Sequence, residues 1–362
     1  MPYNMSDKKI KSVSFILINS LLLFISSLLP TTSKAQSTFI NDSIPFSTIK
    51  TIFQTLQTYE KMVITTNLDS LMENKRSDRQ QEAMISLSAK DKGDLVLPIQ
   101  IQKRGKSRRM MCDLPPLKLN FSKRTLDSLG LFPDYDKIKL VTHCSSKLDS
   151  EQLLLKEFWT YCLYKELTEN SFGVHLYEIT YIHSLDAQRT INSYVFVIEN
   201  NAEMAHRIGG KLVDFSGMSH NQLTPTSYHH ALLFNYMIGN TDWQVDVQQN
   251  LKLVQHPTDT LLTLVPYDFD YAKIVDAPYM KPYTKVKKID PDNRYAMGKF
   301  ANQQSLDATI QQFMTLRKTG FKCYKKCTLL KGKEKGRMSY YMQTFFQTLK
   351  NDKQMAKTFL VE

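Results

Sequence analysis

Beyond residue 35 the sequence has no apolar stretch long enough to cross a bilayer, which excludes a helical membrane span from that part of the chain. It also has no internal repeat and no low-complexity tract, so neither a solenoid nor a disordered linker protein is indicated. Metal-ligand spacing is missing as well. The histidines His143, His175, His183, His206, His220, His229, His230 and His256 stand at no such offsets, and His229-His230, at a helix start, reads as a cap or surface feature. Five cysteines, Cys112, Cys144, Cys162, Cys323 and Cys327, can form at most two disulfides and leave one over. Cys323 and Cys327 are the only close pair, and with no His or Cys partner nearby they read as a local disulfide or two thiols rather than a metal site. Cys144 beside His143 lacks a third partner, which speaks against a nucleophilic thiol. The two tryptophans, Trp159 and Trp243, read as packing residues.

What is present begins with an export signal. Lys8, Lys9 and Lys11 precede an apolar run over 13–29, and Ser33-Lys34-Ala35 offers a small-residue cleavage site. Residues 1–35 are therefore expected to be a signal peptide, with the mature protein secreted, periplasmic or in the cell envelope and without a transmembrane anchor after cleavage. Cleavage removes four Lys and one Asp, and the formal charge falls from +12 to +9. Part of that excess is crowded into 317–337, which reads as a solvated face or, more sharply, a contact for polyanions; no nucleic acid is expected as a partner. About 327 residues then remain, enough for two lobes sharing a cleft.

Residues 36–80 read as a polar N-terminal extension with weak helical periodicity. Alternating apolar runs over 83–88 and 95–102, joined by the turn 90–94, predict a hairpin, and 117–121 and 137–144 predict two more strands of a small antiparallel sheet. A helix opened by Asp149 or Ser150 should run to about 167, followed by strands over 175–182 and 193–199. Beyond residue 200 an apolar helix over 228–238, short strands at 251–254 and 263–265, and helical periodicity from 302 onward predict a different half. The fold class is α+β, with a β-rich lobe over 81–200 and a mainly helical lobe over 201–362; that order is the order of the bilobal protein-kinase-like folds, and many other α+β proteins share it.

Within the 149–167 helix, Glu157 has Leu153 four residues before it and Tyr161 four after it, which sets a carboxylate on the apolar stripe while Lys156 and Thr160 face the other way. Glu157 either reaches the helix edge or needs a cation, and the preceding strand offers Lys139. A strand lysine held by a helix glutamate is how kinases grip the α- and β-phosphates of ATP. A second constellation runs from Gly239-Asn240-Thr241-Asp242-Trp243 through Asn250 to Pro266-Tyr267-Asp268-Phe269-Asp270. Phosphoryl transfer needs oxygen ligands for a divalent ion and a carboxylate to orient the acceptor hydroxyl. Asp242 suits the second role and Asn250 and Asp268 the first. Asp270 is a second ligand or a structural cap, and alternation would put it on the same face as Asp268 with Phe269 opposite.

Together these residues resemble the CotH kinases, an atypical secreted kinase-like family, and more distantly the HipA-like kinases. The resemblance is carried by Arg104-Gly105-Lys106-Ser107, Lys137-Ile138-Lys139-Leu140-Val141, Tyr194 to Glu199, Asn240-Thr241-Asp242-Trp243 and Pro266-Tyr267-Asp268-Phe269-Asp270, and it covers about half the chain at the level of motifs. It implies ATP and Mg²⁺ or Mn²⁺ as cofactors and a protein substrate. It also implies roles: Gly105 and Ser107 at the phosphate-covering turn, Lys139 and Glu157 as the ion pair, and Glu199 near the adenine-side hinge. Asp242 would be the base, and Asn250 and Asp268 would bind metal. Two departures stand out. Asn250 lies eight residues beyond Asp242 where the usual catalytic loop has five, so either the loop is longer or Gln248 or Gln249 intervenes; and the Arg104 turn has one glycine, not three. Lys118 is a second candidate for the nucleotide lysine, ranked below Lys139. The expected activity is transfer of the ATP γ-phosphoryl group to a hydroxyl of a secreted or envelope protein. An inactive kinase-fold binding or scaffold protein is the alternative, and a metal-dependent hydrolase built on Asp242, Asp268 and Asp270 is short of ligands.

Overall fold

Period-two burial builds the first half of the molecule. The computed structural model describes residues 44–361 apart from 74, 106, 146–148, 216 and 281–293, and omits the side chains of Lys318 and residues 321–326. The expected signal peptide and the side chains of Cys323, Lys322, Lys325 and Lys326 lie outside the described residues. Strands β1 (Lys61–Thr66), β2 (Gln81–Ala89), β3 (Lys92–Lys103), β4 (Leu117–Phe121), β5 (Lys137–Val141), β6 (Val174–His183) and β7 (Asp186–Ile198) close into a barrel in the order β1-β2-β3-β4-β5-β7-β6. Every neighbouring pair is antiparallel except β1 with β6, which is parallel. Short helices α1 (Ile52–Leu56), α2 (Leu68–Glu73), α3 (Ser107–Met111) and α4 (Lys123–Ser128) fill the turns, and the long helix α5 (Ser150–Leu167) is inserted between β5 and β6.

The small antiparallel sheet expected from the sequence is thus a closed barrel, and the reason is β1. That strand lies in the segment read as a polar extension, where Met62, Ile64 and Thr66 are buried in alternation with more exposed neighbours. Six residues carry too short a period-two signal to stand out, yet by pairing with both β2 and β6 they remove the two free edges. Inside the barrel Ile64, Ile85, Ile101, Leu119, Ile138 and Val197 form one core.

The second half comprises α6 (Asn201–Arg207), β8 (Lys211–Val213), α7 (Pro225–Ile238), β9 (Leu251–Gln255), β10 (Thr263–Pro266), α8 (Gln303–Lys326), α9 (Gly332–Thr348) and α10 (Asp352–Phe359), with β10, β9 and β8 forming a three-stranded sheet. Pro266 is tolerated because β10 is an edge strand. A second core gathers α5, α7 and Phe269, with Tyr161 4.8 Å and Phe234 5.6 Å from the Phe269 ring. No described helix is long and apolar enough to cross a membrane.

Three readings are corrected or completed here. Lys156 is not on an open face: α5 is wrapped on both sides, and Lys156 Nζ bonds the Glu334 carboxylate of α9 at 3.0 Å with both groups nearly buried. His229 and His230 are buried in α7, one stacked on Phe300 at 4.4 Å and the other 2.6 Å from the Gln312 side-chain oxygen. Asp149 stands at the N-cap of α5 as expected, but with a left-handed backbone and no side-chain bond to the helix; its carboxylate takes Lys331 Nζ at 2.7 Å.

Candidate active site between barrel and helices

Helix α7 aims the first functional side chain. Pro225 sits at its first turn, where no amide donor is needed, and Gly239 ends it in the left-handed conformation at φ 67°. The chain then turns through Asn240, whose side-chain oxygen accepts the Asp242 amide at 3.0 Å and whose nitrogen donates to Asn235 at 2.9 Å. Asp242 is thereby presented at the mouth of a cavity of about 710 Å³.

From Asp242 the chain makes a tight reversal in which the backbones of Gln244 and Gln249 exchange hydrogen bonds of 3.1 and 2.9 Å. This reversal accounts for the long spacing seen in the sequence. Asn250 returns to Asp242 and donates to its Oδ2 at 2.8 Å, while the Gln249 side chain donates to its Oδ1, so both the asparagine and an intervening glutamine contact the carboxylate. The Asn250 carbonyl accepts the Tyr267 amide at 3.0 Å, tying the end of the reversal to the end of β10, and Asp268 receives its place from the Tyr161 hydroxyl, which its amide faces at 2.8 Å. Gln248, Asn250 and Asp268 all hold positive φ, at 50°, 54° and 65°. Three left-handed non-glycine residues around one hollow mark a backbone bent to place side chains there. Asp242, Asn250, Asp268 and Asp270 all line the cavity, and Phe269, between the last two, points into the core.

The Lys139–Glu157 ion pair does not form. Glu157, 2% exposed, is bonded by Arg108 at 3.0 Å, and the same guanidinium lies 3.8 Å from Asp270 and donates to the Thr142 carbonyl at 3.0 Å. Lys139 Nζ instead meets the Asn201 side-chain oxygen at 2.5 Å and lies over the rings of Tyr267 and Phe172, 4.9 and 5.3 Å away. The physical reason is α3. The turn expected over phosphates winds into a short helix after Gly105, and that helix carries Arg108 to Glu157 before the strand lysine can reach it. Sequence reasoning missed Arg108 as the partner; its signal was a further arginine after Arg104 in a turn with one glycine, in a chain with a helix glutamate in need of a cation. Lys118 pairs with Lys139 across β4 and β5, and neither lines the cavity.

Gly105 and Ser107 do line it, Gly105 at φ 83°. Glu199 does not. Its carboxylate is turned into the fold, accepting the Gly173 amide at 2.8 Å and Arg207 Nε at 2.8 Å, and only its neighbour Ile198 reaches the cavity.

Charge is unbalanced in this hollow. Burial raises the Glu157 carboxyl, with Arg108 opposing and Asp268 adding to the rise. Burial and the charges of Asp268 and Glu157 likewise push Asp270 well above the ordinary carboxylate range, and burial lifts Asp242. On the other side, burial brings Lys139 down to about 7, with the charges of Arg104 and Lys252 pressing the same way. Among the described residues Arg104, Lys139 and Lys252 have no ion-pair partner. Carboxylates crowded around one hollow with an unpaired arginine on its wall suit a polyanion together with a divalent ion. The donor set is hard oxygen throughout, from Asp268, Asp270 and Asn250. No three His, Cys, Asp or Glu side chains converge closely enough to hold a metal by themselves among the described residues. Such a set fits Mg²⁺ or Mn²⁺, which take one or two carboxylates and complete their shell with phosphate and water.

No family model matches the sequence, and no curated protein matches it. Among solved structures the chain is similar to the proinflammatory kinase CtkA of Helicobacter pylori, at 9% identity and a TM-score of 0.36, over 76% of this chain and 91% of that one. It is also similar to a chain of the toxin–antitoxin complex of HipA, HipB and operator DNA from Shewanella oneidensis MR-1, at 13% identity and a TM-score of 0.27, over 61% of this chain and 57% of that one. Likenesses this distant carry no argument about residues or chemistry.

Proposed function

We propose that the protein is an exported kinase-like enzyme of the CotH type, which transfers the γ-phosphoryl group of ATP to a hydroxyl of a secreted or envelope protein with Mg²⁺ or Mn²⁺. The observation that carries this reading is the convergence of Asp242, Asn250, Asp268 and Asp270 with Arg104 and Arg108 on one nucleotide-sized cavity. Export is supported by the basic, apolar and small-residue order of residues 1–35 and by the Cys112–Cys144 disulfide, a bond that persists in oxidising compartments.

In this reading Asp242 orients the acceptor hydroxyl and takes its proton. Asn250 and Gln249 hold the carboxylate in place, and burial makes it a better proton acceptor than an open aspartate. Asn250, Asp268 and Asp270 are the residues to hold the divalent ion, whose contribution is to neutralise phosphate charge. Arg104 supplies positive charge at the cavity wall, Lys139 standing outside the lining, and Val141, Ile198 and Tyr267 form an apolar wall suited to a base ring.

Purified mature protein incubated with labelled ATP and Mn²⁺ tests the proposal. Asp242→Ala and Asp268→Ala should each reduce transfer by at least about 10³-fold, the scale of losing a group that acts in the transition state, with the melting transition kept. Full activity in both variants would end the proposal. One observation favours the alternative, a kinase-fold binding protein without turnover: Glu157 is taken by Arg108 and Lys139 by Asn201. Thermal shift with ATP and Mn²⁺ separates a nucleotide-binding protein from a scaffold, since only a ligand that binds the folded state raises its melting point.

A further inference from the structure

Another buried carboxylic acid stands outside the cavity lining. Glu203 of α6, 0% exposed, takes the Thr51 hydroxyl on its Oε1, while its Oε2 has no partner among the described residues. Thr51 also accepts the Gln54 amide at 3.1 Å and opens α1, so one hydroxyl joins the start of α1 to α6. The chain just before it is fastened at three more points. The Ile44 carbonyl accepts His206 Nε2 at 2.9 Å, the Phe46 ring stands edge-on to the His206 ring at 5.4 Å, and the Lys50 carbonyl accepts the Phe132 amide at 2.8 Å. A carbonyl can only accept, so Nε2 carries a proton whether His206 is neutral or charged, and that link does not titrate. The one turn in this segment, Phe46–Thr48, buries no residue, whereas β1 beyond α1 is paired on both edges. Segment 44–51 is therefore the covering element that can leave while the barrel stays closed.

We propose that Glu203 is a proton-operated latch: as a neutral acid it holds segment 44–51 against α6, and loss of its proton frees that segment. Around Glu203 stand Thr51, Glu199 at the end of β7, His206 and Arg207 on α6, and Asp134 and Tyr135 of the turn Pro133–Tyr135, where the Tyr135 hydroxyl meets His206 Nδ1 at 2.7 Å. Arg207 is already committed to Glu199, its Nε and Nη2 lying 2.8 and 3.0 Å from the two oxygens. An ionised Glu203 is thus a buried anion beside a second one, with the neighbouring cation engaged. Burial pushes its carboxyl up to about 8; the Thr51 hydroxyl, Arg207 and the Asn200 backbone oppose that rise, and Glu199 adds to it. The released carboxyl, in water, returns toward 4.5, so between 4.5 and about 8 the closed state binds more protons than the released one. Release therefore grows with pH through that window, by at most about tenfold per unit, and levels off above it. Two residues before Glu203, α6 opens with Asn201, which holds Lys139. The inference does not depend on the phosphotransferase reading.

Hydrogen–deuterium exchange of the full mature chain tests the latch, read by mass spectrometry from about pH 5 to about pH 9 with labelling times scaled to the intrinsic exchange rate. Protection of the amides over 44–56 is expected to fall by about tenfold or more between about pH 5 and about pH 8 and then to level off, while β2 keeps its protection. Glu203→Gln retains an acceptor for the Thr51 hydroxyl and cannot ionise, so protection over 44–56 should stay flat across the range. Thr51→Val removes the donor and should bring the acid-side protection down toward the alkaline level. Flat protection of 44–56 in the parent chain overturns the proposal whatever the variants do. So does a fall that persists in Glu203→Gln, or one that β2 shares equally, which is opening of the whole fold.

Discussion

Arg108 is the residue on which the site's electrostatics turn. Its guanidinium bridges Glu157 and Asp270, two carboxylates that burial already disfavours as ions. Removing one partner of such a pair leaves an uncompensated buried charge, so Arg108→Ala should destabilise the protein by about 3–5 kcal/mol. Arg108→Ala/Glu157→Gln should recover a large part of that loss, as chemical denaturation of the two variants would show. Lys139 makes a second prediction, this one in pH. Its folded pKa of about 7 is below that of the unfolded lysine, so from pH 7 to about 10.5 the unfolded chain binds more protons and stability rises with pH. Lys139→Met should therefore be more stable than the parent below pH 7, with the gap closing as pH climbs through that window. Of these residues, Asp242, Asn250, Asp268 and Asp270 were legible from their order along the chain, since each alone is a residue type common in turns. Arg108 was not, because a single basic residue among five in a turn carries no periodic signal.

At the scale of elements, α3 depends on a covalent neighbour. Cys112, at its end, is bonded to Cys144 beyond β5, and the Cys112 amide donates to the Arg108 carbonyl at 2.9 Å. The link joins the helix that carries Arg108 to the segment whose Thr142 carbonyl receives that arginine. Cys112→Ser/Cys144→Ser should lower stability by about 3–4 kcal/mol for a loop closed over 32 residues. It should also weaken nucleotide binding more than a distant substitution of equal stability cost, since Arg108 loses its tether; thermal shift with ATP and Mn²⁺ compares the two. The strands β2 to β6 and the helices α5 and α7 were readable in the sequence within a few residues, each having a clear period or a clear stop such as Gly239. Short helices such as α3, α4 and α6 were not, because five to seven residues complete too few turns to display a helical stripe.

Across the whole molecule, the second core is fastened by a buried ion pair between elements far apart in sequence. Lys156 and Glu334, 178 residues apart in sequence, meet at 3.0 Å in near-complete burial and join α5 to α9. Lys156→Ala should cost about 3–5 kcal/mol, and Lys156→Met with Glu334→Leu much less, because the paired replacement leaves no stranded charge. The amino-acid order alone determined the α+β character, the succession of strand-rich and helix-rich halves, and the set of oxygen-bearing side chains available for chemistry, because those depend on local periodicity and residue type. Which strand closes the barrel, which cation answers Glu157, and that Asp242 and Asn250 meet across a chain reversal were decided only by tertiary structure. Each of those is a pairing between segments far apart in sequence, selected by competition among several partners of the same chemistry, and no local pattern records the winner.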